Sequence, residues 1–183
     1  MTRLYIDTEF LEDGATIELI SIGLVSEGGH HFYGINREAP LHRIAKHDWL
    51  LEHVVPSLPL KRWNGVFMWG LEWDEEHPDS GFLGSKKDLA EGVRKFITQF
   101  ASPQLFGWYS AYDHVALAQL WGRMIDLPEG VPMYTGDLKQ EAVRLGNPKL
   151  PGQLAGEHNA LEDARWNRRV HEYLMYLEAK RGN

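Results

Sequence analysis

Arg3-Leu4-Tyr5-Ile6-Asp7-Thr8-Glu9 reads as a buried strand that closes on two acids spaced two apart. Side chains alternate between the faces of a strand, so Asp7 and Glu9 point to one side while Leu4 and Ile6 point to the other. The rise per residue puts the two carboxylates about 7 Å apart, and like charges at that distance repel unless a cation joins them. The pair therefore reads as half of a metal site, the plainer alternative being a strand that ends in an acidic turn. Asp74-Glu75-Glu76 repeats the spacing without any strand pattern, ahead of His77-Pro78-Asp79-Ser80-Gly81, and reads as a solvated loop. Position separates the two cases: Asp7 and Glu9 end a strand, and a second strand-like run follows after a short acidic turn.

With 183 residues, the chain is read as one domain over 1–183, long enough to bury roughly 70% of its unfolded surface. It contains no cysteine, which removes disulfides and thiolate metal sites together and fits a reducing compartment. Any metal must then be held by oxygen or imidazole. No stretch approaches the ~20 apolar residues of a membrane span, so a soluble, cytoplasmic protein with no membrane partner is expected. A net charge of −7 argues against coating nucleic acid by bulk electrostatics, though not against local grip on a short strand.

Read onward, Thr16–Ser26 is β-branched and apolar enough for a central strand, Glu27-Gly28-Gly29 supplies a tight turn, and His30–Asn36 returns. The opening is thus a three-strand antiparallel meander, with His30 and His31 on its surface. Residues 37–84 are read as a covering insertion of short helices and an aromatic loop, with one helix around Leu41–Leu51. Trp63, Phe67, Trp69 and Trp73 suit base stacking or, by preference, the packing of a lid or interface. Lys86–Phe100 carries Leu89, Val93, Phe96, Ile97 and Phe100 at helical spacing; Gln104–Tyr109 reads as a strand, Val131–Met133 as another, and Thr135–Leu145 as a helix. The fold class is α/β, a central mixed five-stranded sheet flanked by helices.

Two more acids enter at helix starts. Asp113 precedes Leu117 by four and Leu120 by seven, which places it on the inward stripe; Ser110 and Asp113 equally fit a capping box. Asp137 serves the start of its own helix and competes with Asp113 as a third carboxylate. In Glu157-His158-Asn159-Ala160-Leu161-Glu162-Asp163, Asn159 and Glu162 read as cap and capping partner, which starts a helix at Ala160 and leaves His158 outside it on a loop. Asp163, Asn167, Val170, Leu174 and Leu177 then share a face. An Asp five places after a His is expected about 0.5 times by chance in this composition. It occurs once, at the start of the last long helix.

On "DTE", "YSAYDHVAL" and "HNALEDA" the chain resembles the DEDDh 3′–5′ exonucleases of the RNase H-like superfamily, the family of oligoribonuclease, RNase T and polymerase proofreading domains. The wording "DTEFLEDGATIELISIGLV" and "GEHNALEDAR" is most similar to an actinobacterial 3′-exoribonuclease branch; residues 37–84 carry no motif of it. A tyrosine in place of His158 would mark the sister subclass. The resemblance implies an RNase H-like fold and metal-dependent removal of 5′-mononucleotides from single-stranded RNA or 3′ overhangs. Two Mg²⁺ ions, replaceable by Mn²⁺, would be held by Asp7, Glu9, Asp113 and Asp163. It implies His158 as the general base, Thr8 and Phe10 against the terminal nucleotide through a main-chain amide and a ring, and a homodimer. Such a site suits in-line phosphodiester hydrolysis: two cations stabilise the attacking and leaving oxygens, hard cations take carboxylate oxygens, and imidazole is the side chain that ordinarily changes charge near neutral pH. The rivals are a 3′–5′ exonuclease on DNA, an endonuclease of the same fold, and a silent nucleic-acid-binding module.

Overall fold

The computed structural model describes residues 1–181 except 64, 68, 69, 154 and 155. Strands β1 (Thr2–Glu12), β2 (Ile17–Ser26) and β3 (His31–Asn36) form the antiparallel meander. Helices α1 (Leu41–Ile44) and α2 (Asp48–His53) follow, then the two-residue strands β4 (Arg62–Trp63), β5 (Val66–Phe67) and β6 (Leu83–Gly84). The chain continues through α3 (Lys86–Thr98), β7 (Pro103–Gly107), α4 (Ala111–Ala118), β8 (Thr135–Asp137), α5 (Leu138–Arg144) and α6 (Ala160–Arg181).

Among the described residues the main sheet has six strands in the order β6-β3-β2-β1-β7-β8, antiparallel within the meander and parallel elsewhere. Alternation along β1 explains both layers. Leu4 and Ile6 join α3 and α4 in one core, with Leu89, Val93, Ile97 and Leu117. Tyr5 and Leu11, on the opposite face, meet α5, α6 and the helices of the 37–84 excursion. The register of β1 on β2 slips between Glu9 and Phe10, because Glu9 pairs with Ser21 and Phe10 with Leu19. The extra residue, Ile20, is a bulge that swaps the faces of β2 beside the acidic strand end: Leu19, Ile22 and Leu24 share one core, and Ile20 belongs to the other.

Glycine is needed where α6 starts. Gly23 pairs with Asp7, and a Cβ on it would lie 2.2 Å from the carbonyl oxygen of Ala160 and 2.5 Å from the amide of Leu161. The first turn of α6 thus presses onto bare β2 backbone directly beside Asp7. Gly23→Ala is expected to destabilise the protein by at least about 2 kcal/mol, since the clash is with backbone rather than a pliable side chain. A urea transition checks it; an unchanged midpoint refutes the tight approach.

Several expectations are corrected. The sheet has six strands rather than five, the addition being the short edge strand β6 beside β3. Val131–Met133 is not a strand: Pro132 has no amide to donate, and the amide of Val131 turns back to Pro128. The neighbour of β7 is instead Thr135–Asp137, so the helix expected from Thr135 starts at Leu138, with Asp137 accepting from the amides of Lys139 and Gln140 as its cap. The helix expected over Leu41–Leu51 is two short ones, the second capped by the His47 ring on the Leu50 amide. Among the described residues no helix is long and apolar enough to cross a membrane.

Candidate active site

β1 outruns its parallel partner. The β1–β7 ladder ends at Tyr5–Phe106, while β1 continues to Glu12, so the main chain beyond Tyr5 loses its strand partner on that edge. Buried backbone groups require other partners, and two helices from opposite faces of the sheet provide them. From α6, Asn167 Nδ2 donates to the Ile6 carbonyl at 2.9 Å. From α4, Asp113 Oδ1 accepts both the Thr8 amide, 2.8 Å, and the Thr8 hydroxyl, 2.6 Å. The crevice where the two strands part is the mouth of a cavity of about 680 Å³ lined by Asp7, Glu9, Asp113, His158 and Asp163.

The two readings of Asp113 are thereby separated. Ser110 makes no capping hydrogen bond, and the Asp113 carboxylate crosses to β1 from a buried position. Thr8, expected to offer its amide outward, spends that amide on Asp113. At the other helix Asn159 caps α6 through the amides of Leu161 and Glu162, whereas Glu162 pairs with Arg165 rather than reaching back. Asp163 is held at both oxygens, by Gln153 Nε2 at 2.5 Å and by the His158 amide at 2.9 Å. Asp137 stays with its helix.

The electrostatics follow from this crowding. Burial first, then the charges of Asp113, Glu9 and Asp163, push the Asp7 carboxyl well above the usual range. Burial, Asp163 and Asp113 raise Glu9 to about 8. Asp113 and Asp163 are raised by burial too, against the opposing hydrogen bonds from Thr8, Gln153 and the His158 amide. All four carboxyls are thus shifted in the same direction by burial and, at Asp7 and Glu9, by one another's charge, a crowding of acids of the kind that clusters at functional sites. Oxygen or nitrogen atoms of Glu9, His158 and Asp163 lie within 4.8 Å of one another.

His158 sits in the left-handed region, φ 63°, an uncommon backbone for a residue with a side chain. Its carbonyl accepts from Ser57 Oγ at 3.1 Å, and its ring meets Trp49 edge-on at 4.9 Å. Aromatic rings wall the rest of the cavity. Phe10 and Tyr112 lie nearly parallel, 5.7 Å apart and 10° from coplanar; Trp108 and Trp166 meet at 5.4 Å, Trp166 fixed through its indole N–H on the Pro151 carbonyl.

Sequence reasoning singled out Phe10 but not Trp49, Tyr109, Tyr112, Trp108 or Trp166. Tyr112 abuts Asp113, and Trp166 precedes an inward Asn167, which is the one signal that pointed to them. Of the stretch favoured for its aromatics, Trp69 and the rings of Trp63 and Phe67 are outside what the structure describes, and the Trp73 indole donates to the Arg37 carbonyl.

Known proteins resemble the chain in sequence and in fold. Residues 2–175 match the model of a "3′-5′ exoribonuclease Rv2179c-like domain". The chain is 39% identical over 165 residues to 3′-5′ exoribonuclease Rv2179c of Mycobacterium tuberculosis strain H37Rv and to its counterpart in strain CDC 1551, covering 89% of this chain and 87% of each relative. Among solved structures the catalytic unit of Neurospora crassa Pan2, a protease and nuclease domain, superposes with a TM-score of 0.52 at 13% identity, over 98% of this chain and 28% of that one. That likeness concerns the fold alone, which is α/β of the RNase H-like type.

Proposed function

We propose a function from the premise that the chain belongs to the Rv2179c-like 3′–5′ exoribonuclease domain family: it removes 5′-mononucleotides from the 3′ end of single-stranded RNA or a 3′ overhang, as a metal-dependent DEDDh enzyme. The observation that carries the reading is the convergence of Asp7, Glu9, Asp113, His158 and Asp163, from β1, α4, the α6 approach loop and α6, on one open cavity. The donor set fits hard divalent ions, because carboxylate oxygens predominate and the acids are short of positive charge. Asp7, Glu9, Asp113 and Asp163 would hold two Mg²⁺, or Mn²⁺ in their place, which stabilise charge on the attacking and leaving oxygens.

The remaining work falls to the chain. His158 takes the proton of the water whose oxygen attacks phosphorus while the bond to the 3′-oxygen breaks. Thr8 locks the rotamer of Asp113, and Gln153 with the His158 amide locks that of Asp163, so the carboxylates are oriented before substrate arrives. Phe10 and Tyr112 offer ring faces to the terminal bases, a sequence-tolerant grip that suits a nuclease with little net positive charge. One domain spanning 1–183, with 37–84 as its insertion, and a homodimeric assembly belong to the same reading.

Digestion of 5′-end-labelled single-stranded RNA, single-stranded DNA, a recessed duplex and a circular RNA in Mg²⁺ tests it. Stepwise shortening of linear RNA with the circle untouched is expected; preference for DNA would reassign the substrate, cleavage of the circle would make it an endonuclease, and binding without products would make it a binding module.

Metal should also stabilise the fold in a pH-dependent manner. An acid whose folded pKa is raised, as Glu9 is from 4.5 to about 8, contributes most below its unfolded value and loses that contribution as pH rises toward the folded one. Buried His171, shifted downward by burial, has the opposite dependence, gaining as pH rises through the ordinary histidine range. The gap between melting temperatures with and without Mg²⁺ cancels the His171 contribution. It is expected to widen from pH 5 to 8, reaching about 5 to 10 °C at a hundredfold excess over Kd. A gap that stays flat or closes with rising pH contradicts the carboxylate site.

A further inference from the structure

The general base assigned above does not hold its own position. His158 lies on a turn, its backbone at φ 63°, next to the Gly152–Gly156 stretch and outside the helix that carries Asp163. A loop imidazole left alone would sample many rotamers. Here its ring is lodged between two walls: the carboxylates of Glu9 and Asp163 on one side, and α2 on the other. From α2, Trp49 and His53 stand one helical turn apart, which puts them on one face. Their rings touch at 4.9 Å; the Trp49 ring meets the His158 ring at 4.9 Å and 79°, and the His53 ring meets it at 5.2 Å. The excursion also meets the main chain, since the hydroxyl of Ser57, just beyond α2, is shared between the Val54 carbonyl at 2.8 Å and the His158 carbonyl at 3.1 Å.

The anchor is firm where it needs to be. Leu50, Val54, Val55 and Leu58 are buried in the core beneath α6, so α2 is tied to the sheet, while Trp49 on its outer side remains 46% exposed and lines the cavity. Its ring contacts are made with the two histidines. We infer that Trp49 is a positioning residue for the base: the indole, backed by His53, restricts the His158 ring to the orientation that faces the carboxylates. The 37–84 insertion would then be a working part of the site, carrying no reacting group but fixing the one that moves the proton. The inference rests on His158 being the base.

The test is a double-mutant cycle on single-stranded RNA at saturating Mg²⁺, comparing Trp49→Ala, Trp49→Phe, His158→Ala and the Trp49→Ala/His158→Ala pair, with melting temperatures and calorimetric metal affinities alongside. A misplaced base costs rate rather than substrate binding, so Trp49→Ala is expected to lower kcat about 10- to 100-fold with KM changed less than about 3-fold. Trp49→Phe, which keeps a flat ring on the same helix face, should recover most of the loss. In the His158→Ala background there is no base left to orient, and removing Trp49 should cost less than about 2-fold more. A rise in KM with kcat intact, or an equal loss with and without His158, would overturn the inference and make Trp49 a substrate-stacking residue instead. Should Trp49→Ala not fold, Trp49→Leu takes its place in the cycle, with loss of kcat expected and wild-type kcat overturning the claim. Full activity of His158→Ala would remove the base itself; a slow His158→Ala beside an unimpaired Trp49→Ala would sink the Trp49 inference alone.

Discussion

Asp7→Ala is expected to lower hydrolysis by roughly 10³-fold or more, because it removes a carboxylate that would hold the ions which stabilise the attacking and leaving oxygens, while the protein keeps its fold and melts no lower than wild type without metal. Both halves come from one arrangement. Asp7 faces Asp113, Glu9 and Asp163, and all three raise its pKa, so deleting it takes one negative charge out of a repelling group of four. Asp7 lines an open cavity, so truncation leaves no sealed void of the kind that makes core deletions costly. A functional carboxylate held against its own repulsion gives this pairing of lost activity with retained or increased stability; an acid that stabilises the fold gives the reverse. Turnover near wild type in Mg²⁺, or a large fall in melting temperature without metal, would remove Asp7 from the site.

The elements that met in space were legible where a short-range period governed them. Asp7 and Glu9 share a face because strands alternate, and Asp163 shares one with Asn167 because helices repeat every three to four residues; both patterns are visible in sequence. Asp113 fitted two local patterns, an inward stripe and a capping box, and only the position of β1 distinguishes them. The Thr8 amide is free to bind Asp113 because β7 stops short of it, and that depends on pairing between segments about a hundred residues apart. The same reason hides Trp49, Trp108 and Gln153: each reaches the cavity through a contact across the fold with no spacing rule to announce it. Pro132 was a local signal against a strand at Val131–Met133, and Thr135-Gly136-Asp137 could be paired only once β7 was in place. The bulge at Ile20 is the same kind of feature, since it exists only in the register of two strands.

His158→Ala is the second large effect, a loss of about 10²- to 10⁴-fold in turnover, the usual range for a general base. The structure sharpens what else must be measured. A nitrogen of the His158 ring lies within 4.8 Å of oxygens of Glu9 and Asp163, close enough for the ring to act as a ligand if it turned toward a shared ion. Calorimetry decides between the roles: a base leaves metal affinity nearly unchanged when replaced by alanine, and a ligand does not. One further contact must be separated from the side chain. The His158 main-chain amide donates to Asp163 Oδ2, and alanine keeps that donor, so the substitution removes the imidazole while leaving Asp163 held. His158→Pro would remove the amide as well, and a proline cannot adopt φ 63°; it is expected to lose metal affinity where His158→Ala does not. If His158→Ala weakens metal binding as much as His158→Pro does, the imidazole is a ligand and the proton must go elsewhere. If it retains full activity, the five-residue spacing to Asp163 is a coincidence of composition.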